Sequence, residues 1–239
     1  MTTKSKILIV EDEAAIRTGL VDVLVYHGYA IEAAATGSEG LAKALSGQFD
    51  LLLLDVMLPE IDGFEICNRV RQHDPDLAII MLTAKSMDED IIHGLSLGAD
   101  DYVTKPFSVA QLLLRVQAVL RRTRAAESEL EVIQLSDAVE IDCINLSGRC
   151  GSELLSFTRR EIDLLRYLQA HSERPVSRDE LLHKVWGYAS NIELETRTID
   201  IHIAKLRRKL ETEPSRPQFL LTIRGAGYRL LPEGLLADS

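Results

Sequence analysis

Hydrophobic positions in the first half of the chain come as short apolar runs separated by amphipathic stretches. The apolar runs are residues 7–10, 31–35, 51–55, 78–82 and 101–105. The stretches with helical periodicity are near residues 14–27, 38–46, 63–73, 87–97 and 108–122. Because the runs alternate with helical stretches, the pattern predicts an α/β domain with a parallel sheet, right-handed crossovers and helices on both faces.

The second half of the chain has a different pattern. Residues 121–131 are rich in charge and lack Pro and Gly, which predicts a linker or an extension of the fifth helix. Four short segments follow, VIQL, AVEID, NLSGRC and ELLSF, and their alternating polarity predicts antiparallel strands. We therefore predict one domain over residues 1–122, a linker over 123–131 and a second, α+β domain over 132–235.

Three helices come next in the second domain, and two of them open with a capping box. In TRRE (158–161) and SRDE (177–180), a hydroxyl occupies the N-cap and a glutamate the third helical position. The third helix is predicted over about residues 195–211. The closing segment, residues 219–231, predicts two strands around a glycine-containing turn.

Composition limits the class of protein. The 239 residues suffice for two ordinary domains, and a hydrophobic content of 46% supports a core in each. No apolar run approaches the roughly 20 residues that a membrane span needs, and the N-terminal run is too short for a signal peptide. We therefore expect a cytosolic protein without membrane association. Its cysteines, Cys67, Cys143 and Cys150, lack metal-ligand spacing and are expected to be buried or idle thiols.

Charge is distributed unevenly. The chain carries a formal net charge of −10, yet residues 197–229 hold 8 basic and 3 acidic residues. A basic segment in an acidic protein can direct one face towards a polyanion. A solvated helix held by salt bridges would have the same composition, so charge alone leaves both interpretations open.

Polar residues stand at the ends of four of the apolar runs. Glu11 and Asp12 follow the first run, and Asp55 ends the third. Thr83 follows the fourth run, and Lys105 ends the fifth. Ligands of open parallel sheets bind outside the carboxyl ends of the strands, so these side chains are expected to converge. Each alone has an ordinary explanation as a turn, cap or solvated residue, and the specific signal is their occurrence at successive strand ends.

Clustered carboxylates repel one another, and a hard divalent cation such as Mg²⁺ would neutralise them with oxygen ligands. A carboxylate beside such a cation can attack a phosphoryl donor and become an acyl phosphate. Lys105 and Thr83 could then interact with the phosphoryl oxygens. We therefore interpret Asp55 as the nucleophile of a phosphoryl-transfer site.

Several segments resemble those of two-component response regulators of the OmpR/PhoB family. The segments are ILIVEDE, LLLLDVMLPEIDGFE, MLTA, GADDYVTKPF, LLHKVWGY, ETRTIDIHIAKLRRKLE and TIRGAGYRL. They cover nearly the whole chain except the linker. The resemblance implies a flavodoxin-like receiver with strand order 2-1-3-4-5, joined to a winged helix–turn–helix domain, in a protein that binds DNA and controls transcription.

The resemblance also implies roles for residues of the receiver. Asp55 would accept a phosphoryl group from the phosphohistidine of a sensor histidine kinase, and Lys105 would contact that group. Thr83 and Tyr102 would form a switch pair, with Thr83 moving towards the phosphoryl group and Tyr102 rotating inward. Self-phosphorylation and slow hydrolysis at Asp55 would be the only catalysis. The implied Mg²⁺ ligands are Asp12, Asp55 and the backbone carbonyl of Met57, with Glu11 helping through water.

The third helix of the second domain has two distinct faces at about 100° per residue. The core-facing stripe is Ile199, Ile203, Leu206 and Leu210. The opposite face is Arg197, Ile201, Lys205 and Arg208. Such a helix fits the major groove, where Arg and Lys can reach phosphates or guanine edges and an isoleucine can contact a thymine methyl. An exposed Ile201 without a role is the alternative from the helix alone.

The resemblance enlarges the DNA-binding set. The implied residues are Arg197, Thr198, Ile201, His202, Lys205, Arg207, Arg208 and Arg224. Arg224 belongs to the hairpin that the family places against the neighbouring minor groove, whereas Tyr228 is expected in the core. Residues 187–195 resemble the loop that meets RNA polymerase in this family.

Family members pair through helix 4, strand 5 and helix 5 with cross-subunit ion pairs, and this chain departs from that pattern. The residues at the implied interface are Ile91, Leu97, Asp101, Gln111, Arg115 and Arg122. Asp101 and Arg122 retain one of these cross-subunit ion pairs. Leu97 occupies a position at which family members usually have an acidic residue. Ile91 and Gln111 replace a basic and an acidic residue. We therefore expect a phosphorylation-promoted homodimer with a more apolar face, bound to direct repeats in double-stranded DNA.

Two other classes of function compete with a phosphorylation-switched transcription regulator. A pseudo-receiver, which acts as a protein-interaction module independently of phosphate, would need a broken acidic site, and this site is intact. A phosphotransfer or phosphatase enzyme would need a kinase motif, a P-loop or a Ser–His elbow, and the sequence contains none of them.

Overall fold

Five parallel strands form the sheet of the first half of the chain. The computed structural model describes residues 4–84, 88–124, 131–188 and 197–232, in two units, Met1–Ala125 and Ala126–Ser239. The strands are β1 (Lys6–Val10), β2 (Ala30–Ala34), β3 (Leu51–Asp55), β4 (Ala78–Ala84) and β5 (Asp101–Lys105). The helices are α1 (Ala14–Tyr26), α2 (Gly37–Ala44), α3 (Gly63–His73), α4 (Asp88–Leu97) and α5 (Val109–Arg124). The sheet order β2-β1-β3-β4-β5 confirms the predicted fold.

The central strand β3 is buried on both faces, which accounts for its run of four leucines. Successive side chains of a strand point to opposite faces. Leu51 and Leu53 therefore share one face, where they pack with Ile7 and Ile9 of β1 and with apolar residues of α1 and α5. Because β1 and β4 flank β3 in parallel, the strand delivers Asp55 to the middle of the sheet's carboxyl edge.

The second unit combines antiparallel strands with three helices. The first four strands are β6 (Val132–Ser136), β7 (Val139–Asp142), β8 (Ser147–Cys150) and β9 (Glu153–Ser156), paired in that order. The helices are α6 (Arg159–Ala170), α7 (Arg178–Lys184) and α8 (Arg197–Leu210), and the closing hairpin is β10 (Leu220–Ile223) with β11 (Gly227–Leu230). This confirms the predicted winged-helix architecture. Residues 125–130 of the predicted linker and 195–196 of the predicted third helix lie outside the described residues.

The two predicted capping boxes differ in the structure. At α6, the Thr158 hydroxyl accepts from the Glu161 backbone N–H and the Glu161 carboxylate accepts from the Thr158 N–H, so the box is complete. At α7, Ser177 caps the helix, but the Glu180 carboxylate accepts from Arg174 at 2.7 and 2.9 Å instead. The hydrogen bonds from Arg174 lower the pKa of Glu180 to about 2. The second box is therefore replaced by an ion pair.

None of the helices in the described part of the chain is both long and apolar enough to cross a bilayer.

Gly63 begins α3 directly against the end of β3. A Cβ atom at this position would lie 2.2 Å from the carbonyl oxygen of Asp55 and 2.9 Å from Cα of Val56. Gly63→Ala should therefore lower the free energy of unfolding by about 1–3 kcal/mol, the usual effect of overpacking, in urea denaturation followed by circular dichroism. Gly19→Ala is the matched control, because the site is open and helical, and it should raise stability slightly. Equal effects of the two substitutions would contradict this account.

Candidate functional site

Three carboxylates converge at the carboxyl edge of the first sheet. Glu11 and Asp12 follow β1, Asp55 ends the neighbouring β3, and each offers an oxygen within 4.8 Å of the others. Glu11 and Asp55 are buried, whereas Asp12 is exposed. This all-oxygen set of donors, open to solvent on the side of Asp12, fits a hard divalent cation.

Lys105 supplies a positive charge to the cluster from the end of β5. Its Nζ lies 2.8 Å from Oδ2 of Asp55 and 2.8 Å from Oε2 of Glu11. Burial lowers the pKa of Lys105, but the hydrogen bonds to Asp55 and Glu11 outweigh burial, so the pKa lies above its usual value. Burial raises the pKa of Glu11, and repulsion from Asp55 adds to this effect despite the hydrogen bond from Lys105. One ammonium group therefore does not fully offset the clustered negative charge.

The remaining residues predicted for this site lie close to it in the fold. Thr83, near the end of β4, and Tyr102 on β5 are both buried. The Met57 backbone nitrogen lies 3.4 Å from Oδ1 of Asp55, and Met57 is 71% exposed. Thr83 and Met57 thus lie at the same edge of the sheet as the acidic cluster, whereas Tyr102 pairs with Met81 near the start of β5.

Sequence reasoning missed Arg17, which contacts the same loop from α1. Its Nη1 donates to the carbonyl oxygens of Glu11 and Asp12. The only available signal was its position five residues after Asp12 on the first helix, where an arginine is an ordinary surface residue.

The residues predicted for the dimer face differ in burial and in pairing. Ile91 is only 7% exposed, so it packs within the chain and does not widen an apolar surface. Asp101 is fully buried, and its Oδ2 lies 2.6 Å from Nη1 of Arg115 in the same chain. This carboxylate is therefore already paired internally, although it was predicted to pair with Arg122 of another copy. Leu97 is partly buried and Gln111 is exposed. The side chain of Arg122 lies outside the described part of the chain.

Other apolar residues of the same two helices are exposed. They are Ile92 on α4 and Val109 and Leu114 on α5, each about 40% exposed. These residues add exposed apolar surface to the two helices that contribute to the predicted face.

Helix α8 has the two faces predicted for it. The four residues of the core-facing stripe are at most 1% exposed, namely Ile199, Ile203, Leu206 and Leu210. On the other side, Arg208 is exposed, and Arg197 and Ile201 are partly exposed. Arg224, in the turn of the β10–β11 hairpin, is exposed as well. These four residues form the candidate nucleic-acid interface, with Arg208 and Arg224 its most exposed members.

Four other residues of the predicted DNA-binding set face inward. Thr198 and His202 are 3% and 1% exposed, and the His202 ring packs edge-on against Trp186 at 5.1 Å. Arg207 donates to the Leu220 carbonyl at 2.8 Å and to the Thr222 hydroxyl at 2.7 Å. Lys205 lies 3.2 Å from Oε1 of Glu161, with 14% of its side chain exposed. Thr198 and His202 are therefore buried, and Lys205 and Arg207 bind groups of their own domain, while direct DNA contact by these four residues stays a prediction.

Glu161 is the centre of a buried charge cluster that holds α8 on α6. Its Oε2 lies 2.7 Å from Nζ of Lys209, and Lys205 contacts its other oxygen. Burial raises the pKa of Glu161, but the charges of Lys205 and Lys209 outweigh burial and lower the pKa overall. The capping box of α6 and the seating of α8 thus use the same carboxylate.

A second network that was not predicted joins α7, α8 and the hairpin. Arg178 donates to Asp200 at 2.6 Å and to the Tyr228 hydroxyl at 2.8 Å, and Tyr228 donates to Asp200 at 2.5 Å. Burial and the bond to Asp200 raise the pKa of Tyr228 to about 12. Tyr228 is 4% exposed, as expected for a core residue. The network therefore links all three elements of a winged helix. Residues 189–195 of the predicted polymerase loop lie outside the described residues.

Known proteins resemble both units. Residues 7–117 match the family "Response regulator receiver domain", and residues 151–230 match "Transcriptional regulatory protein, C terminal". The alkaline phosphatase synthesis transcriptional regulatory protein PhoP of Bacillus subtilis is 41% identical, over 94% of this chain and 96% of PhoP. The response regulator ArlR of Staphylococcus haemolyticus is 40% identical, over 94% of this chain and 98% of ArlR.

Solved structures agree with these relatives. A mutant of RitR aligns with a TM-score of 0.75 at 26% identity, over 95% of this chain and 99% of that chain. DrrB, described as a Thermotoga maritima OmpR/PhoB homolog, aligns with a TM-score of 0.52 at 29% identity, over 96% of this chain and 100% of that chain. A receiver followed by a winged helix defines a DNA-binding response regulator that controls transcription. The chain belongs to the OmpR/PhoB family of these regulators.

Removal of the Glu161 charge should destabilise the second unit. Glu161→Gln leaves Lys205 and Lys209 without their buried counter-ion, and such a loss costs about 3 kcal/mol. Trp186, the only tryptophan of the chain, is buried in this unit, so its fluorescence during urea denaturation measures the effect. Glu140→Gln is the control, because Glu140 is exposed and should change stability by less than about 0.5 kcal/mol. If both variants unfold like the parent chain, Glu161 does not stabilise the seating of α8.

Proposed function

We propose that Asp55 accepts a phosphoryl group from the phosphohistidine of a partner sensor histidine kinase and thereby switches DNA binding. One observation carries this proposal: the Asp55 carboxylate stands at the carboxyl edge of the sheet, 2.8 Å from the Lys105 ammonium and clustered with Glu11 and Asp12. Membership of the family supports a kinase as donor and DNA as target.

In the proposed reaction, an oxygen of Asp55 attacks phosphorus and forms a P–O bond. The P–N bond of phosphohistidine breaks, and its electron pair stays on the imidazole nitrogen of the kinase. Lys105 exchanges its contact with Asp55 for the incoming phosphoryl oxygens, and the Thr83 hydroxyl donates a hydrogen bond to one of them. Asp12, Asp55 and the Met57 carbonyl, with Glu11 helping through water, would hold a Mg²⁺ ion, which would supply further positive charge to the site. No other catalysis is proposed beyond slow hydrolysis of the acyl phosphate.

The proposed switch couples Thr83 to Tyr102. When Thr83 moves towards the phosphoryl group, it leaves a space behind it. The Tyr102 ring rotates inward and occupies that space. Both side chains are buried in the structure, so a change at one must be accommodated by its neighbours. The face of α4, β5 and α5 then pairs with the same face of a second copy.

The dimer is proposed to bind direct repeats in double-stranded DNA. Helix α8 enters the major groove, where it contacts DNA through Arg197, Ile201 and Arg208. The hairpin contacts the neighbouring minor groove through Arg224. Residues 187–195 are proposed to meet RNA polymerase at the promoter. A loss of specific binding in the Ile201→Ala variant without loss of non-specific binding would support base contact by this side chain.

Asp55→Asn should abolish phosphorylation without unfolding the protein, because the amide is nearly isosteric but is not a nucleophile. Incubation with acetyl phosphate and Mg²⁺, followed by mass spectrometry of the intact chain, should show one added phosphoryl group on the parent chain and none on the variant. Asp50→Asn, at the opposite end of β3, is the control and should be phosphorylated normally. An unmodified parent chain would favour the alternative of a phosphate-independent pseudo-receiver.

The phosphorylated dimer should depend little on salt. Exposed ion pairs contribute about 0–1 kcal/mol each, and Asp101 is already paired with Arg115 inside the chain, so apolar residues such as Leu114 carry the contact. Analytical ultracentrifugation of the phosphorylated chain at low and high salt should give similar dissociation constants. Leu114→Asp should prevent dimerisation, whereas Val25→Asp on α1 should not. Strong dissociation at high salt would mean that ion pairs dominate the interface.

A further inference from the structure

Arg17 is the only basic side chain of α1, and its guanidinium group is directed back at the loop between β1 and α1. Nη1 donates to the Glu11 carbonyl oxygen at 2.7 Å and to the Asp12 carbonyl oxygen at 2.9 Å. These are the backbone carbonyls of the two residues that carry two of the three clustered carboxylates. The proposed phosphoryl transfer gives Arg17 no role.

We propose that Arg17 is a positioning residue, which holds the β1–α1 loop so that the carboxylates of Glu11 and Asp12 stay directed at the divalent cation. The inference rests on the proposed function, since it assumes that a cation binds the acidic cluster. Arg17 touches neither the phosphoryl group nor the reacting atoms in this scheme.

Electrostatic repulsion makes such a support necessary. Three carboxylates within 4.8 Å of one another repel, and Asp12, which is exposed, could relieve the repulsion by moving outward. Two hydrogen bonds from one guanidinium group hold the two peptide groups that flank the Cα atom of Asp12 and oppose this movement. Hydrogen bonds from a charged donor are stronger than those between neutral groups. Arginine also stays charged at any pH at which the protein folds.

The two basic side chains at the site, Lys105 and Arg17, bind different groups. The inference rests on this difference. Lys105 binds carboxylate oxygens of Glu11 and Asp55, so it competes directly for groups that a metal ion would use. The hydrogen bonds of Arg17 in the described structure go to backbone carbonyls instead. Arg17 can therefore organise the acidic loop while leaving the carboxylate oxygens to the cation. Groups that orient metal ligands in this way typically affect metal affinity by about 10-fold or more.

Removal of Arg17 has two opposite effects on cation affinity, and their balance tests the proposal. If Arg17 acts only as a positive charge near the site, its loss removes repulsion and cation binding becomes tighter. If Arg17 positions the loop, its loss lets the carboxylates separate and cation binding becomes weaker. The sign of the change therefore distinguishes a positioning role from a purely electrostatic one.

The experiment uses the full chain and Mn²⁺ as the probe. The concentration of free Mn²⁺ is measured by electron paramagnetic resonance. Mg²⁺ is then added to compete with Mn²⁺ for the site. Arg17→Met, which keeps an unbranched apolar stem but removes the charge and the hydrogen-bond donors, should weaken Mn²⁺ binding by about 10-fold. Arg17→Lys should recover part of the affinity, because an ammonium group can still donate to the carbonyls. Arg69→Met is the matched control, because Arg69 pairs with Glu65 on α3. The Mn²⁺ affinity of this variant should equal that of the parent chain.

A kinetic measurement separates positioning from general damage to the fold. With acetyl phosphate as donor, Arg17→Met and Arg17→Lys should raise the Mg²⁺ concentration needed for half-maximal phosphorylation, while the rate at saturating Mg²⁺ stays near that of the parent chain. Unchanged or tighter Mn²⁺ binding in Arg17→Met, or an equal loss of rate at all Mg²⁺ concentrations, would overturn the positioning role alone. A parent chain that binds no Mn²⁺ would overturn the cation site and this inference together.

Discussion

The receiver is organised by the need to hold three carboxylates at one edge of a sheet. Parallel strands bring their carboxyl ends together, and the buried leucines of β3 fix Asp55 beside the residues that follow β1. Each neighbouring feature offsets part of the resulting repulsion. Lys105 pairs with two of the acids, Arg17 bonds the loop that carries two of them, and the exposed side at Asp12 leaves access for a cation. Clusters of ionisable groups with perturbed pKa values, such as Glu11 and Lys105 here, are typical of functional sites.

The DNA-binding unit uses buried charge for a different purpose. Glu161 joins the start of α6 to Lys205 and Lys209 of α8, while Arg178, Asp200 and Tyr228 join α7, α8 and the hairpin. An apolar core alone would tolerate small rotations of α8, because apolar contacts are non-directional. Hydrogen-bonded ion pairs restrict the angle of the helix, and a helix that enters a groove needs a defined angle. Removing one member of such a buried pair is costly, since its partner is left without compensation.

Sequence patterns predicted elements and strand ends well but not the partners of long side chains. The alternation of apolar runs predicted all five strands of the receiver in order, and the helical period identified the core stripe of α8 correctly. The same period placed Lys205 on the outer face, although its flexible stem lets the ammonium group return to Glu161. Burial of Thr198 and His202 depends on the packing of Trp186 and other distant residues, which a helical wheel does not contain. The internal pairing of Asp101 with Arg115 likewise requires knowledge of how β5 and α5 pack together.

Several basic side chains of α8 bind groups of their own domain. These internal contacts affect how strongly DNA binding by α8 would depend on salt. Of the cations in residues 197–229, Lys205, Lys209 and Arg207 bind a carboxylate or a backbone carbonyl of their own domain. Only cations that neutralise phosphates release condensed counterions, and each contributes about 0.9 to the slope of log affinity against log salt concentration. The salt dependence of this regulator on DNA should thus be shallower than its basic segment suggests. A larger share of its affinity then comes from contacts that distinguish one sequence from another.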